Sequence, residues 1–426
     1  MRQQHLEAAV PVGADPRRYA RVLAKVHEAT LSGARPPTAP RPVIGESWRR
    51  MRRLGLDPER GADSEPLPAG DVEARRRESG LAEALPILRR GLTSVAEEAA
   101  HIMVVVDADG RVLWRDGSAA VRLRADRLGF TEGASWQENS VGTNAIGTAL
   151  VARRPMQVYS AEHYVRTHHE WTCAAAPLHD PRDGRLLGVV DLSGPAATVH
   201  PSTLALVAAV AGLAEAQLRN AHLADLERLR ARALPTLSSV SGKAMVVDQH
   251  GWVAAVSGLA GLDRVALPSD CRAGRVWLPA IGTCLLEPVP GGWLLRLTAA
   301  ADRNGADSLA TSVVVDVRDP RACTLTVTGP AGHWSQPLSP RHAELLYLLA
   351  KHREGRSAAQ LATDLFGDSG RTGTVRAEVS RLRRQLGAIL ARTPYRFADG
   401  TDVSLCEPDA PDLLFPHSTA PAIRGG

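Results

Sequence analysis

The sequence has few cysteines, no long apolar run and none of the common catalytic motifs. Its five cysteines are scattered over 426 residues and odd in number, a pattern typical of a reducing compartment and not of a disulfide scaffold. The first residues lack the apolar core of a signal peptide, and no run approaches the length of a membrane span. We therefore expect a cytoplasmic protein without a membrane anchor.

Catalytic and cofactor signatures are also missing. The chain has no G-x-x-x-x-G-K-[ST] phosphate loop, no G-x-S-x-G elbow and no H-E-x-x-H zinc helix. Metal-ligand chemistry is limited to one short region, which contains His163, His168, His169 and Cys173. Adjacent histidines point apart on a regular element, and no second cysteine lies close to Cys173. We expect no enzyme activity, no metal and no cofactor.

Composition is compatible with a nucleic-acid partner. The net charge is +5, the sequence pI is about 9.2 and 44% of the residues are hydrophobic. A chain of this length and apolar content can form several domains, each with its own core. A moderately basic balance favours DNA as a partner and does not mark a membrane protein.

Three helices are predicted between residues 338 and 390. Ser339 followed by Pro340 begins the first, and Ser357 caps the second. Glycines interrupt the chain before Thr374, where the third helix begins. Apolar residues recur along that helix at steps of three and four, at Val375, Val379, Leu382, Leu386 and Leu390.

The opposite face of the third helix is strongly basic. Seven arginines and a single acid, Glu378, lie between residues 371 and 396. Such a helix repels itself unless a polyanion lies alongside, and duplex DNA is the expected partner. Taken alone, a charge run is usually a solvated face, but here it is third in a helical segment with an aromatic hairpin, TPYRF, behind it.

This C-terminal part resembles the winged-helix effector domains of OmpR/PhoB-type response regulators. The resemblance rests on LSPRHAELLYLLA, TVRAEVSRLRRQLG and TPYRF, and on SVVVDV, TLTVTG and HWSQP as the preceding strands. It covers about 95 residues and implies a recognition helix followed by a wing. The candidates for DNA contact are Thr374, Arg376, Ser380, Arg381, Arg383, Arg384, Tyr395 and Arg396.

Residues 80–225 are predicted to form an α+β sensor domain. HIMVVVDADGRVLW gives a strand, a turn and a returning strand, and CAAAPLHD and LLGVVDLSG give two more. A sheet covered by helices and loops can hold a small molecule among apolar walls. The candidates for ligand binding are Trp136, Glu138, Asn144, Trp171, Cys173 and His179.

Each ligand candidate also has a structural alternative. Asn144 is in a position that commonly caps a helix, and Trp136 is more often a core residue than part of a binding cage. Cys173 lies in an apolar strand, where a lone thiol is usually buried and inert. A redox sensor acting through Cys173 remains an alternative.

The same region resembles the GAF domain of the acetoin-catabolism activator family. The collinear segments are IGESWRRMRRLGLDP, GASWQENSVGTNAIGTAL, EHY, WTCAAAPLHDP, GVVDLSGP and HPSTLALV, spread over about 190 residues. Many members of that family carry a sigma-54 ATPase, which the missing phosphate loop excludes here. The resemblance implies a sensory input domain, and regulation without ATP.

The predicted chain is α+β and multidomain. Its segments are an N-terminal helical part (1–79), a GAF sensor (80–225), a connecting helix with a small β-rich, PAS-like module (226–300), a winged helix-turn-helix (312–405) and a flexible tail (406–426). A long helix near 200–233 favours a homodimer. We expect a DNA-binding regulator with an unknown small-molecule effector. The alternative from another class is an interaction scaffold whose winged helix binds a protein.

Overall fold

The computed structural model describes residues 6–61, 65–259, 262–268, 271–298, 311–320, 322–329, 332–410, 414–415, 418 and 420–424. The chain forms two compact units, the first ending at Asn220 and the second beginning at Ala221. Both units combine helices with sheets. The prediction of an α+β chain with more than one domain is therefore confirmed.

The N-terminal unit contains one sheet surrounded by helices. Its elements are α1 (Pro16–Ser32), α2 (Pro42–Arg53), α3 (Ala69–Glu78), α4 (Leu85–Glu98), β1 (Ile102–Asp107), β2 (Val112–Gly117), α5 (Ala119–Asp126), α6 (Glu138–Val141), α7 (Ala145–Ala152), β3 (Met156–Tyr159), β4 (Trp171–His179), β5 (Leu186–Pro195) and the start of α8 (Pro201–Ser239). The strand order is β2-β1-β5-β4-β3, and all neighbours pair antiparallel.

Side chains of this sheet enter two apolar layers, because successive strand residues point to opposite faces. On β4, Cys173 and Ala175 belong to one layer, whereas Ala174 and Ala176 belong to the other. The first layer, which we name the inner layer, lies between the sheet and α1, α2, α5 and α7. The second layer lies between the sheet and α4 and α8.

Two ion pairs join the N-terminal helices to the rest of this unit. Arg41 pairs with the buried Glu162 at 2.7 Å, and Arg50 of α2 pairs with Glu138 at 2.7 Å. Trp48 of α2 is 1% exposed and belongs to the inner layer. The helices from the predicted 1–79 segment therefore form one wall of the inner layer.

Helix α8 has the length and apolar composition of a membrane-spanning helix, with a mean hydropathy of 1.3 over its most apolar window. On that criterion the expectation that no run reaches the length of a span is not met. However, Leu204, Val207 and Ala211 are buried in the layer between α8 and the sheet. Packing against the sheet therefore accounts for these apolar residues.

The C-terminal unit contains two sheets and a helical segment. After the end of α8 its elements are β6 (Ala244–Asp248), β7 (Val253–Ser257), β8 (Gly274–Leu278), β9 (Gly282–Val289), β10 (Gly292–Leu297), β11 (Thr311–Asp316), β12 (Thr324–Gly329), β13 (Gly332–Pro337), α9 (Pro340–Lys351), α10 (Ala358–Phe366), α11 (Thr372–Leu386), β14 (Thr401–Cys406) and α12 (Pro421–Arg424). The sheet orders are β7-β6-β10-β9-β8 and β13-β12-β11-β14, with β14 parallel to β11.

These two sheets share one apolar core. Leu278 and Leu286 of the first sheet lie in the same cluster as Leu325 and Leu346, and Trp334 Nε1 donates to Ala266 O at 2.9 Å. The sequence prediction separated a β-rich module (226–300) from the segment 312–405. In the structure both segments belong to one unit with continuous packing.

The predicted capped helices are present in the C-terminal unit. Ser339 accepts from His342 N, and Ser357 and Gln360 form a capping box at the start of α10. Helix α11 begins at Thr372, two residues before the predicted start. The glycine-rich stretch before it forms a short 3₁₀ turn, Ser369–Arg371. These local signals therefore placed the helix starts correctly to within two residues, but α11 ends at Leu386, whereas the predicted apolar stripe continued to Leu390.

The described part of the predicted tail (406–426) is packed. The Phe415 ring is 8% exposed and lies 5.4 Å from that of Tyr347. Ala420 is fully buried, and α12 packs against α10. This differs from the flexible tail predicted from composition, because Phe415 and Ala420 contribute apolar surface to the core. Residues 299–310, at the junction of the predicted module and the predicted winged helix, lie outside the described residues.

Candidate functional site

The ring of Trp136 is enclosed in the inner layer of the N-terminal unit. Its centroid lies 3.9 Å from that of Phe130 and 5.2 Å from that of His168, on which it stacks. The residue is 5% exposed. Within the described part of the chain, neither Trp136 Nε1 nor His168 Nδ1 has a hydrogen-bond partner. The Trp136 ring is thus part of the apolar core.

Glu138 has a structural role in this arrangement. Its buried carboxylate accepts from Ser47 Oγ at 2.7 Å, from Thr148 Oγ1 at 2.8 Å and from Arg50 Nη2 at 2.7 Å. These donors come from α2 and α7, on either side of α6. Because its oxygens are already engaged, Glu138 joins the helices of this wall and is not an open ligand contact.

Asn144 is the N-cap of α7. Its Oδ1 accepts from Gly147 N at 2.9 Å, and its Nδ2 donates to Gly142 O at 2.8 Å and to Trp136 O at 3.2 Å. The side chain is 1% exposed. The helix-capping alternative considered for this residue is therefore the one seen in the structure.

Removal of this cap should destabilise the N-terminal unit. We expect Asn144→Ala to lower the free energy of unfolding by about 1–2 kcal/mol, because the first turn of α7 and two carbonyls lose their buried partner. Urea unfolding measures the change as a shift of the transition midpoint. Asn139→Ala, at an exposed position, is the matched control, and an equal loss in both variants would contradict the capping role.

The remaining ligand candidates occupy different places. Trp171 is 5% exposed in the inner layer, and the Arg124 guanidinium lies 5.6 Å from its ring centroid. Cys173 is also in that layer, where burial, and next the charge of Asp191, raise the pKa of its thiol well above the ordinary value. His179 lies at the end of β4, with Nδ1 3.0 Å from Glu215 Oε1 on α8. The structure therefore brings Trp136, Trp171 and Cys173 into one layer but not His179.

Sequence reasoning missed Asp191, which lies at the centre of β5. It is fully buried, and it faces Val104 on β1 and Ala175 on β4 across the sheet. Ser193 Oγ donates to its Oδ2 at 2.5 Å, while Oδ1 has no partner among the described residues. Burial raises the pKa of this carboxyl to about 7, although the Ser193 hydrogen bond lowers it. An acid inside the apolar run GVVDLSG was the signal that could have identified it.

The histidines near the inner layer are neutral. Burial, with the nearby His168 as a second cause, lowers the pKa of His163 to about 3. Burial and the neighbouring His169 lower the pKa of His168 to about 4. In the part of the chain that the structure describes, no group of three or more His, Cys, Asp or Glu side chains could hold a metal ion.

The candidate DNA surface lies on α11. Its apolar stripe, Val375, Val379, Leu382 and Leu386, is buried, and Arg376, Ser380 and Arg384 form an exposed line at intervals of four residues. Arg384 Nη1 lies 3.2 Å from Asp263 Oδ2, and both side chains are exposed. Arg381 is also exposed and pairs with Glu378 at 2.7 Å. The predicted basic face is therefore accessible.

The other DNA candidates have structural contacts. Arg383 Nε donates to Leu390 O at 2.9 Å, which joins α11 to the hairpin that follows it. Paired backbone hydrogen bonds of 2.9 Å join Tyr395 of that hairpin to Arg356, which lies between α9 and α10. Arg396 pairs with Asp399. Thr374 is half-buried at the start of α11. Arg383 therefore supports the hairpin through its Nε.

Comparisons with known proteins associate the N-terminal unit with regulators. Residues 23–217 match the family described as the MimR N-terminal domain. The AcoR activator of the acetoin dehydrogenase operon in Bacillus subtilis is 37% identical over 46% of this chain, and the MimR activator of the propane 2-monooxygenase operon in Mycolicibacterium goodii is 34% identical over 46%. The matched part spans 33% of the length of each of these activators. They are transcriptional regulators, and no catalytic family is indicated.

Two further similarities extend beyond this unit. The crystal structure of the Escherichia coli DhaR(N)-DhaL complex is 19% identical with a TM-score of 0.43, and the match covers 61% of this chain and all of that one. The uncharacterized 47.3 kDa protein in the thcA 5′ region of Rhodococcus erythropolis is 30% identical over 91% of this chain and 72% of its own length. The chain therefore belongs to the same family as this Rhodococcus protein, and its N-terminal half resembles the MimR and acetoin activators.

Proposed function

We propose that this chain regulates transcription by binding operator DNA through the segment from β11 to β14, which we interpret as an OmpR/PhoB-type winged helix. The observation that carries the proposal is the exposed line Arg376, Ser380 and Arg384 on the third helix of that segment. A recognition helix in the major groove uses such side chains, because arginine can pair bidentately with guanine or with phosphate. The hairpin held by Arg383 and Tyr395 would be the wing.

We infer that a small-molecule effector binds in the inner layer of the N-terminal unit, which we interpret as a GAF domain. Three buried polar atoms support this proposal: Trp136 Nε1, His168 Nδ1 and Asp191 Oδ1 lack hydrogen-bond partners among the described residues. A buried polar group without a partner costs about 1–3 kcal/mol. The names of the relatives refer to acetoin and propane operons. By analogy, we propose that the effector of this chain is also a small organic molecule.

We further propose that the regulator acts as a cytoplasmic homodimer. Large apolar side chains on α8 are exposed, with Leu213 58%, Leu223 53% and Leu234 50% accessible. Helix pairing would cover them, and two winged helices on a two-fold operator bind more tightly and specifically than one. The raised pKa of Cys173, caused first by burial, disfavours the redox alternative, because a thiolate is the reactive form.

The experiment that tests the regulator proposal is selection of genomic fragments by the purified full-length protein. We expect enrichment of a shared, two-fold motif, and we expect the salt dependence of its affinity to be steep because bound phosphates release counterions. The genes adjacent to the enriched sites would then nominate effectors for binding assays. Failure to enrich any motif would contradict DNA recognition and would favour the interaction-scaffold alternative.

A further inference from the structure

A cavity of about 720 Å³ lies in the N-terminal unit on the α4 and α8 side of the sheet, away from the inner layer. Val95 of α4, Leu192 of β5 and Leu206 of α8 give it an apolar wall. Glu98, His101 and Thr198 give it a polar end. Ligand sites commonly combine a mostly apolar lining with a few polar groups that fix orientation. This cavity has that composition and none of its lining residues belongs to the effector site proposed above.

His101 presents a hydrogen-bond acceptor to this cavity. Its Nδ1 lies 2.7 Å from Ala99 O, and since a carbonyl only accepts, Nδ1 carries the proton. Burial lowers the pKa of His101, although the Ala99 hydrogen bond raises it, so the ring is neutral and Nε2 holds a lone pair. Thr198 Oγ1 lies 3.3 Å from that Nε2 and 2.7 Å from Pro195 O. The Thr198 hydroxyl has one hydrogen, which it donates to the closer Pro195 carbonyl, so His101 Nε2 does not receive it.

The polar end of the cavity is therefore rich in acceptors. Besides His101 Nε2, it includes the Glu98 carboxylate, which is exposed. His200, also in the lining, accepts from Ser202 N at Nδ1. Among the described residues that line the cavity, none is a lysine or an arginine. Glu98 is therefore the group in this lining whose charge would balance a positive charge on a bound molecule.

We propose that this cavity binds a small organic cation, namely a protonated primary amine on a short apolar chain. The ammonium group would donate to Glu98 and His101 Nε2, and the chain would lie along Val95, Leu192 and Leu206. Because the site is formed by the first turns of α8, its occupancy would act on the helix that continues from the N-terminal unit into the C-terminal unit. The site would thus be a second input, independent of the inner layer.

Three probes with the same chain and different head groups test this proposal by calorimetry on the full-length protein. The probes are hexylamine, 1-hexanol and hexanoate, each at neutral pH. We expect saturable binding of hexylamine, weaker binding of hexanol by about ten-fold and no binding of hexanoate, because a charge-assisted hydrogen bond is roughly twice as strong as a neutral one. Equal binding of all three would show an unspecific apolar surface and would overturn the cation proposal.

Matched variants locate the binding. Glu98→Gln should weaken hexylamine by about ten-fold, whereas Glu97→Gln, its exposed neighbour outside the cavity, should not. Leu206→Phe should fill the apolar end and reduce binding, whereas Leu123→Phe, at an exposed position on α5 outside the cavity, should leave it unchanged. Near-UV circular dichroism checks that each variant is folded. If hexylamine binds folded Glu98→Gln and Leu206→Phe as it binds the parent, or does not bind the parent, the site is wrong.

Discussion

The double variant Arg376→Ala and Arg384→Ala is expected to lose about 100-fold or more of its affinity for specific DNA, since each bidentate arginine contact is worth ~1–3 kcal/mol. Both side chains are exposed on one line of α11, and α11 buries its other face through its leucines and valines. Alanine is also a good helix former, so the helix should persist. Loss of binding would therefore reflect lost contacts and not lost fold.

The salt dependence of the remaining affinity identifies what the arginines contact. If both bind phosphate, the log–log slope should decrease by about two units, because each neutralised phosphate contributes ~0.9. If both bind base edges, specificity should fall while the slope changes little. Fluorescence anisotropy with the selected operator and with a scrambled duplex measures both quantities.

A control variant that loses the same charge elsewhere distinguishes direct arginine–DNA contacts from a general effect of the protein's net charge. Arg17→Ala with Arg21→Ala removes two arginines four residues apart on α1, where both side chains are exposed. We expect this variant to bind the operator almost as the parent does. An equal loss in both double variants would show that net charge, and not the α11 surface, determines affinity.

Arg383 is excluded from that design because its guanidinium has another role. Its Nε donates to Leu390 O, so Arg383→Ala would disturb the hairpin as well as the basic face. Sequence periodicity placed Arg383 on the flank of the helix but could not reveal this hydrogen bond. The acceptor is a backbone carbonyl beyond the end of α11. Every residue has such a carbonyl, so the sequence does not indicate which one accepts.

The features that sequence predicted are those set by local interactions. Ser339, Ser357 and Asn144 lie at helix starts in the structure, because a cap depends only on residues within one turn. The common core of the two C-terminal sheets was not predicted. It depends on contacts such as Trp334 to Ala266, 68 residues apart, and periodicity gives no information on which apolar faces meet.

Candidate site residues illustrate the same limit. Glu138 was predicted as a ligand contact from its residue type, yet Ser47 and Arg50, some 90 positions earlier, occupy its oxygens. Asp191 was not predicted as a ligand contact. In the structure its Oδ1 lacks a hydrogen-bond partner among the described residues. Whether a buried polar atom is satisfied depends on distant side chains, and this decides which residues are open to a ligand.

Asp191→Asn is expected to stabilise the protein above pH 7. The pKa of Asp191 is raised from 3.8 to about 7, chiefly by burial, so the folded state binds a proton that the unfolded state has already released. Stability of the parent should therefore fall as pH rises from about 4 to about 8, by up to ~4 kcal/mol. Asparagine retains an acceptor for Ser193 and has no charge to bury. Urea unfolding from pH 5 to pH 9 measures the difference.

Asp180→Asn is a control with the opposite expected sign. Burial would raise the pKa of Asp180, but the hydrogen bonds and charge of Arg182 outweigh it, and the pKa is lowered. Its contribution to stability is therefore present at neutral pH and is lost as pH falls through the folded-state pKa. Replacement by asparagine should destabilise the protein at pH 8. If Asp191→Asn also destabilises at that pH, the carboxyl has a partner that satisfies its charge.

A stabilised Asp191→Asn variant would also test the role of the inner layer. A buried, ionisable carboxyl without a full set of hydrogen-bond partners lowers the stability of a protein. Destabilising groups of this kind are commonly found in binding sites. We expect the variant to bind the operator like the parent in the absence of effector but to respond less to it, because the ligand loses an anionic acceptor. An unchanged response with increased stability would show that Asp191 is a neutral core residue and would remove it from the effector site.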